Sequence, residues 1–340
     1  MKRNLGLSLL LGLCVLTASA QKVTPLFQSK EAVNLRATGS VKSIKKKTND
    51  STFVSVKFQY EESPDQWRTL PTEARVRGNF RLRYCYFPPL KIKFSKDDID
   101  STLFEGNKSL KLVMPCRVTS DMNQLIRREY ICYKFYETLS PYHFLTRLAN
   151  LHLTEVTSKK PREYDLLTFM VEDNSNVAKR SGGKIMEVKG LSPAAFEERQ
   201  ALRNDYFQYM IGNADWSAVY QHNTNVLYAD SKYITLSYDF DMSGFVNAYY
   251  ARENPPNLGT GDIRDRVYRG FCKSPEAMQE IRKEYLDKET VIQGLIDEQK
   301  EHFSEGELKD MHEFTNQFFD ILRDDHRFKI GVLDACRSDK

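Results

Sequence analysis

The stretch NADWSAVYQHNTNVLYADSKYITLSYDFDMSG, residues 213–244, decides the fold that we predict for this chain. It follows an amphipathic helical segment and opens with a polar loop. Two β-type runs come next, residues 225–228 and 233–238, and the turn-forming pair Asp230-Ser231 separates them. The second run leads directly into Asp239-Phe240-Asp241. The pattern therefore predicts a helix, a polar loop and a β-hairpin with acidic residues at its exit.

Phosphoryl-transfer enzymes of the kinase type carry their polar residues in this same order. Asp215 in the loop would orient the attacking hydroxyl, while Asn223 and Asp239 would hold Mg²⁺ or Mn²⁺ against nucleotide phosphates. Asp215 and Asn223 are 8 positions apart, against about five in the ordinary kinase loop, so Asn225 is an alternative ligand. Asp241 could bind a second ion or replace Asp239. The simpler alternative is that these residues only cap turns around a hairpin.

These residues resemble the CotH kinase-like family (spore coat protein H type), whose members carry a GN-x-DW…HN motif and a later Asp-Phe-Asp. The matching residues are Gly212-Asn213-Ala214-Asp215-Trp216, His222-Asn223 and Asp239-Phe240-Asp241. The resemblance extends upstream to Arg75-Val76-Arg77-Gly78-Asn79 and to residues 87–94 and 164–172, and so covers roughly residues 70–245. It implies ATP as the phosphate donor and a protein serine or threonine as the acceptor.

The same resemblance implies further nucleotide contacts. Arg77 and Gly78 would belong to a loop that covers the phosphates, although small residues usually follow in the family and Phe80-Arg81 follow here. Glu172 matches a family glutamate at the passage between lobes, where backbone would face the adenine.

A phosphate-binding pair is predicted around a helix at Met122–Leu139. Glu129 lies in the middle of its apolar stripe, and a buried carboxylate needs a positive partner. In kinases a strand lysine steered by a helix glutamate contacts the α- and β-phosphates. Lys91, Lys93 and Lys111 lie on the preceding predicted strands, and the sequence does not decide among them, although Lys93 best matches the lysine-containing strand of the family. The alternative is a structural ion pair, or a glutamate that reaches solvent at the helix rim.

The chain divides into a β-rich first half, interrupted by this one helix, and a mainly helical second half, which predicts the α+β class. Together with the resemblance, this predicts a two-lobed protein-kinase-like fold with a β-rich N-lobe and a mainly helical C-lobe. We expect a polar lead-in with little structure at residues 21–50, an N-lobe-like region at 51–173 and a C-lobe-like region at 174–340. An irregular segment at 254–262 stands where kinases carry the activation segment.

Residues 1–20 match a secretory signal peptide: Lys2 and Arg3 precede an apolar run, and small residues lead to a cleavage site at Ala20. We therefore expect export to the periplasm or the medium, with no transmembrane segment. The 50 basic residues, less Lys2 and Arg3, nearly balance the 46 acidic ones. This balance gives no reason to expect a nucleic acid or an anionic membrane as partner.

All of the 6 cysteines except Cys14 follow the signal peptide. They have no CxxC spacing and the histidines form no HExxH pattern, so we expect no zinc site. Cys85 and Cys116 flank neighbouring predicted strands and form the expected disulfide, while the odd count leaves at least one thiol unpaired.

Two classes of function remain at this point. The first is an exported ATP-dependent phosphotransferase, with nucleotide and an unknown protein or small-molecule acceptor as partners. The second is an inactive protein of the same family that serves as an envelope or surface binding module, which fits the scarcity of ATP outside the cytoplasm. A weaker third option is a calcium- or carbohydrate-binding surface protein with Asp239 and Asp241 as calcium ligands, although calcium needs more carboxylates than these.

Overall fold

The structure is a computed structural model that describes residues 23–78, 80–119, 121–251 and 261–338. The predicted signal peptide lies outside the described residues, as do Asn79 and most of the predicted irregular segment at 254–262.

The first seven strands form one closed barrel. They are β1 (Val33–Gly39), β2 (Val54–Ser63), β3 (Gln66–Val76), β4 (Leu90–Phe94), β5 (Ser109–Val113), β6 (Thr146–Glu155) and β7 (Arg162–Val171). Their order around the barrel is β1-β2-β3-β4-β5-β7-β6. Neighbouring strands pair in the antiparallel sense except β1 and β6, which pair in parallel from Val33↔Ala149 to Gly39↔Glu155 and close the barrel.

The barrel forms because its strands alternate apolar and polar side chains. In β4, Ile92 and Phe94 are buried in the interior, whereas Lys91 and Lys93 lie on the outer face. Phe94 packs there against Phe58 and Phe104, with ring centroids 5.7 Å and 5.3 Å apart.

The other regular elements of the described chain include α-helices and a smaller sheet. The helices are α1 (Val41–Lys47), α2 (Phe80–Tyr84), α3 (Lys96–Ile99), α4 (Met122–Leu139), α5 (Asn174–Arg180), α6 (Glu198–Met210), α7 (Pro275–Asp287), α8 (Glu289–Asp297), α9 (Glu305–Arg323) and α10 (Asp325–Phe328). The smaller sheet is antiparallel and contains β8 (Lys184–Met186), β9 (Thr224–Ala229) and β10 (Lys232–Ser237) in the order β10-β9-β8. None of the described helices is both long and apolar enough to cross a membrane.

Helix α4 connects the two parts of the molecule, because it packs on β6 and β7 of the barrel and also on α6 and α8. Tyr133 shows this directly: its ring lies 5.5 Å from that of Phe169 in β7 and 4.7 Å from that of Phe240 after β10. The two parts therefore share one apolar core around this helix.

The predicted two-lobed protein-kinase-like fold is wrong, because β1 closes the first seven strands into a barrel of mixed strand direction. Strand β1 comes from residues 21–50, the segment predicted to have little structure. Val33 and Leu35 alternate with polar residues and point into the barrel, while the lysines that made the segment look unstructured lie further on, in α1. In an open sheet, β1 and β6 would be edge strands with unpaired backbone N–H and C=O groups.

Several local predictions are confirmed. Helix α4 spans Met122–Leu139, and β9 and β10 form the hairpin that the 213–244 stretch predicts. The predicted Cys85–Cys116 disulfide is present, and Cys132 in α4 is the buried unpaired thiol. A second disulfide, Cys272–Cys336, was not predicted.

The disulfides generate a first testable prediction. A chain that starts at Gln21 should expose no reactive thiol when native, one when denatured without reductant and all five after reduction, because Cys132 is buried and the other four are paired. Mass spectrometry after alkylation counts these thiols. Replacing both Cys272 and Cys336 by alanine should cost about 2–4 kcal/mol of unfolding free energy. Three thiols released by denaturation alone would contradict this pairing.

Candidate functional site

A cleft of about 520 Å³ lies where the end of the barrel meets the loops around the smaller sheet. We call it the polar cleft, and it contains seven of the predicted site residues: Arg77, Gly78, Lys111, Asp215, Asn223, Asp239 and Asp241. Arg77, Gly78 and Lys111 lie in the barrel strands or directly after them. The other four residues lie in the loops on either side of the β9–β10 hairpin and carry carboxylate or amide oxygens. Lys91, Lys93, Glu129 and Glu172 do not line it.

Two glycines hold the acidic loops together. The backbone N–H of Gly244 donates to the carbonyl of Gly212 at 3.0 Å, so the loop after α6 runs beside the loop after β10. A Cβ at Gly244 would lie 2.7 Å from the carbonyl oxygen of Ile263, which leaves no room for a side chain. The left-handed φ of Gly212, 62°, also favours glycine. These contacts fix the distance between the Asp215 loop and the segment that carries Asp239.

Asp215 is held by its two neighbours in the motif. Its Oδ1 lies 2.8 Å from Nε2 of His222, and its Oδ2 accepts a hydrogen bond of 3.0 Å from the side-chain amide of Asn223. The same amide donates to the backbone carbonyl of Asp215 at 2.7 Å. The hydrogen bond with Asp215 raises the pKa of His222 above its usual value. His222 was part of the recognised motif, but the sequence assigned it no role.

The Asn223 contacts bear on the choice between two metal ligands. Because its amide nitrogen donates twice to Asp215, its amide oxygen is the atom left for a cation in the cleft. Asn225 lies in β9 and does not line the cleft. Asn223 is therefore better placed than Asn225.

Asp239 and Asp241 differ in their surroundings. Asp239 has a left-handed backbone, with φ of 65°, and its N–H donates to the Tyr133 hydroxyl at 3.0 Å. Its half-buried carboxylate makes no hydrogen bond or ion pair with any described residue. Asp241 is buried, and its Oδ2 accepts a hydrogen bond of 2.9 Å from Tyr250 and lies 3.7 Å from Nη1 of Arg81. Asp239 can therefore take a new ligand without losing a partner, whereas a ligand on Oδ2 of Asp241 would compete with Tyr250 and Arg81.

A buried arginine that the sequence analysis left without a role lies at the base of the cleft. Arg81 in α2 is 6% exposed and donates to the backbone carbonyl of Met114, while its Nε and Nη1 find no hydrogen-bond partner among the described residues. Burial opposes its charge, but Tyr250, Asp241 and Glu129 together raise its pKa above the usual value. The sequence did mark this position, because Phe80-Arg81 follow Asn79 where small residues are expected.

The expected pairing of Glu129 with a lysine is wrong. Glu129 is 2% exposed, and its Oε1 has no hydrogen-bond partner in the part of the chain that the structure describes. Its basic neighbour is Arg81, and burial followed by the charge of Asp241 raises its pKa well above the usual range. Burial of this carboxyl group therefore favours its protonated form, which needs no lysine partner.

The three candidate lysines have other neighbours. Lys91 forms an ion pair with Asp173 at 3.1 Å, and Lys93 forms an exposed one with Glu73 at 3.5 Å on the outside of the barrel. Lys111 alone reaches the polar cleft. Its Nζ donates to Asn174 at 2.9 Å and lies 4.2 Å from the ring centroid of Phe144 and 4.5 Å from that of Tyr238. Burial, followed by the charge of Arg77, lowers its pKa well below the usual value, and an anion in the cleft would favour its charged form.

The residues implied as nucleotide contacts do not all lie at the cleft. Arg77 and Gly78 follow β3 at the cleft, and the guanidinium of Arg77 makes no hydrogen bond or ion pair with any described residue. Glu172 instead forms a buried ion pair of 3.0 Å with Arg180 and accepts from the N–H of Leu145 at 3.1 Å. These contacts give Glu172 a structural role at the end of β7.

The residues of the polar cleft fit a magnesium ion better than a soft metal. Within the described ranges, no group of three or more His, Cys, Asp and Glu side chains could hold a metal ion. Mg²⁺ needs only one or two carboxylates and keeps several waters. The unpartnered carboxylate of Asp239 and the amide oxygen of Asn223 meet that requirement.

Comparisons with known proteins do not identify the chain: no protein-family model matches it, and no curated protein matches it significantly.

The buried acidic residue leads to a pH prediction. Burial, followed by the charge of Asp239, raises the pKa of Asp241 from 3.8 to about 6. The folded protein therefore holds this proton more tightly than the unfolded chain, so the contribution to stability is present below pH 3.8 and is lost as the pH rises through about 6. Relative to the wild type, the unfolding free energy of Asp241→Asn should increase by up to about 3 kcal/mol between pH 4 and pH 7.

Urea unfolding of both proteins across this pH range measures the difference. The exposed Asp97 on α3 provides the control, because Asp97→Asn should follow the wild-type curve. A constant difference between Asp241→Asn and wild type at every pH would show that Asp241 does not titrate in this range.

Proposed function

We propose that this chain is an exported, metal-dependent phosphotransferase, similar to the CotH family in its motif, that transfers phosphate from ATP to a hydroxyl acceptor. A protein serine or threonine is the acceptor that the motif suggests. One observation carries the proposal: the polar cleft brings two kinds of side chain together. Arg77 and Lys111 have no anionic partner among the described residues, and Asp239 and Asn223 can hold a cation. A metal–triphosphate complex carries both kinds of charge.

The metal would be held by Asp239 and Asn223 and would neutralise charge on the phosphates. Arg77 would bind phosphate oxygens directly, as guanidinium groups do. Lys111 would add a second positive charge from β5, at a site where burial otherwise disfavours it. Since phosphoryl transfer has a loose transition state, these residues act by positioning and charge neutralisation.

Asp215 would orient the acceptor hydroxyl and receive its proton. His222 and Asn223 hold one oxygen each, which fixes the carboxylate plane, and each carboxylate oxygen can accept a second hydrogen bond. When His222 is protonated, its positive charge stabilises the negative charge of Asp215. The side chain of His222 is 58% exposed, so this dyad is open to an acceptor from outside.

Export is part of the proposal. The N-terminal sequence pattern and the two disulfides support it together, because disulfides persist mainly in oxidising compartments.

The absent lysine–glutamate pair favours a second candidate, a binding or structural protein of the envelope without catalysis. Glu129 pairs with none of Lys91, Lys93 and Lys111, so the clamp on the α- and β-phosphates seen in kinases has no equivalent among these residues. Such a protein would not need nucleotide, and nucleotide binding therefore separates the two candidates.

Nucleotide binding is tested by thermal shift. The mature chain with ATP and Mg²⁺ at 100 times Kd should gain about 2.7 kcal/mol in unfolding free energy, and ATP without metal should give less. Asp239→Asn should abolish the metal-dependent part, because it removes the charge of the main ligand. The matched control, Asp97→Asn, should keep the metal-dependent part of the stabilisation. No shift with ATP and either Mg²⁺ or Mn²⁺ would favour the binding protein.

Catalysis is tested at Asp215. Asp215→Asn should lower the rate of phosphate transfer by about 10²–10⁴-fold, since it removes the proton acceptor. The same variant should retain the ATP–Mg²⁺ thermal shift, because Asp215 is not the proposed metal ligand. Radiolabelled ATP with a casein-type acceptor, or autophosphorylation, provides the assay. Unchanged transfer would exclude Asp215 as the base.

A further inference from the structure

Asp241 already has a cation. Nη1 of Arg81 lies 3.7 Å from its Oδ2, and both side chains are less than one tenth exposed, at 7% and 6%. The Tyr250 hydroxyl donates to the same oxygen at 2.9 Å. A divalent ion that used this oxygen would have to displace both the guanidinium and the hydroxyl.

Arg81 is fixed in this place. Its Nη2 donates to the carbonyl of Met114, and its own carbonyl accepts from the N–H of Cys85 at 2.8 Å. The Cys85–Cys116 disulfide joins the end of α2 to the segment that carries Met114. A shift of the guanidinium away from Asp241 would strain or break its hydrogen bond to a segment that the disulfide holds beside α2.

The neighbouring polar groups make the positive charge necessary. Glu129, whose buried Oε1 has no hydrogen-bond partner among the residues described, also neighbours Arg81, and Asp239 lies two positions before Asp241. Nε and Nη1 of Arg81 are buried and have no hydrogen-bond partner within the described ranges. The side chain therefore stabilises these acids by its charge more than by directed hydrogen bonds. Paired carboxylates next to phosphate groups commonly bind two metal ions.

We infer that the polar cleft takes one divalent cation, on Asp239, and that the Arg81 guanidinium occupies the place where Asp241 would otherwise hold a second. The inference rests on the proposed function, since it concerns how the site holds metal and nucleotide. It assigns Arg81 as a positioning residue that sets the number of ions.

The test counts Mn²⁺ ions per chain by the electron paramagnetic resonance of free Mn²⁺, with a saturating non-hydrolysable ATP analogue. The unchanged protein should bind one ion. Arg81→Gln should bind two, because Asp241 loses its built-in cation, whereas the charge-retaining Arg81→Lys should bind one. The double variant Arg81→Gln/Asp241→Asn should return to one. Arg83→Gln, an exposed arginine on the same helix, provides the control and should bind one.

Two ions in the unchanged protein, or one ion in folded Arg81→Gln, would overturn the inference while leaving the proposed function in place. Circular dichroism checks folding, and if Arg81→Gln does not fold, the count in the unchanged protein decides. If neither the analogue nor Mn²⁺ binds to the folded, unchanged protein, the proposed function fails and this inference fails with it.

Discussion

The parallel pairing of β1 with β6 is the constraint on which the position of the cleft depends. It closes the barrel by giving β1 and β6 each a second neighbour, so that every barrel strand, including β3 and β5, belongs to a sheet without an edge. Arg77 and Lys111 then stand on a rigid wall, since barrel strands have no free edge along which they could slip. The opposite wall is built from loops, and its rigidity has to come from other contacts.

Those contacts come largely from α4. This helix packs on β7 of the barrel and carries Tyr133, whose hydroxyl accepts from the backbone N–H of Asp239. It also carries Glu129, which lies beside Arg81 under the acidic loop. One helix therefore sets the distance between the basic and the acidic wall. Burying charged groups in this region is costly unless they are paired or neutralised. Here Asp241 is paired with Arg81, and burial raises the pKa of Glu129 and so favours its neutral form.

Patterns within short stretches predicted much of the local structure, whereas contacts between residues far apart in sequence were not predicted. The apolar stripe of α4 and the alternation in β9 and β10 gave correct elements, because each pattern repeats within a few residues. Barrel closure depends on a parallel pair far apart in sequence, and no local pattern encodes it. The partner of Glu129 was missed for the same reason: the nearby strands offered lysines, but the cation comes from α2. At the candidate site, the motif residues Asp215, Asn223 and Asp239 were found together in one cleft, while Arg81 and His222 gained roles only from their contacts.

The backbone at Asp239 links this packing to the chemistry. A left-handed conformation outside glycine costs about 1–2 kcal/mol, and the chain accepts this cost at Asn223 and at Asp239, on both sides of the β9–β10 hairpin. At Asp239 the hydroxyl of Tyr133 and the glycine contact between the two loops stabilise the conformation. An aspartate in an extended backbone would pass on smoothly from β10, whereas the left-handed turn directs the chain so that Phe240 enters the core. The apolar anchor and the free carboxylate are thus adjacent residues, and the core that forms around α4 holds the carboxylate at the cleft before any ligand arrives.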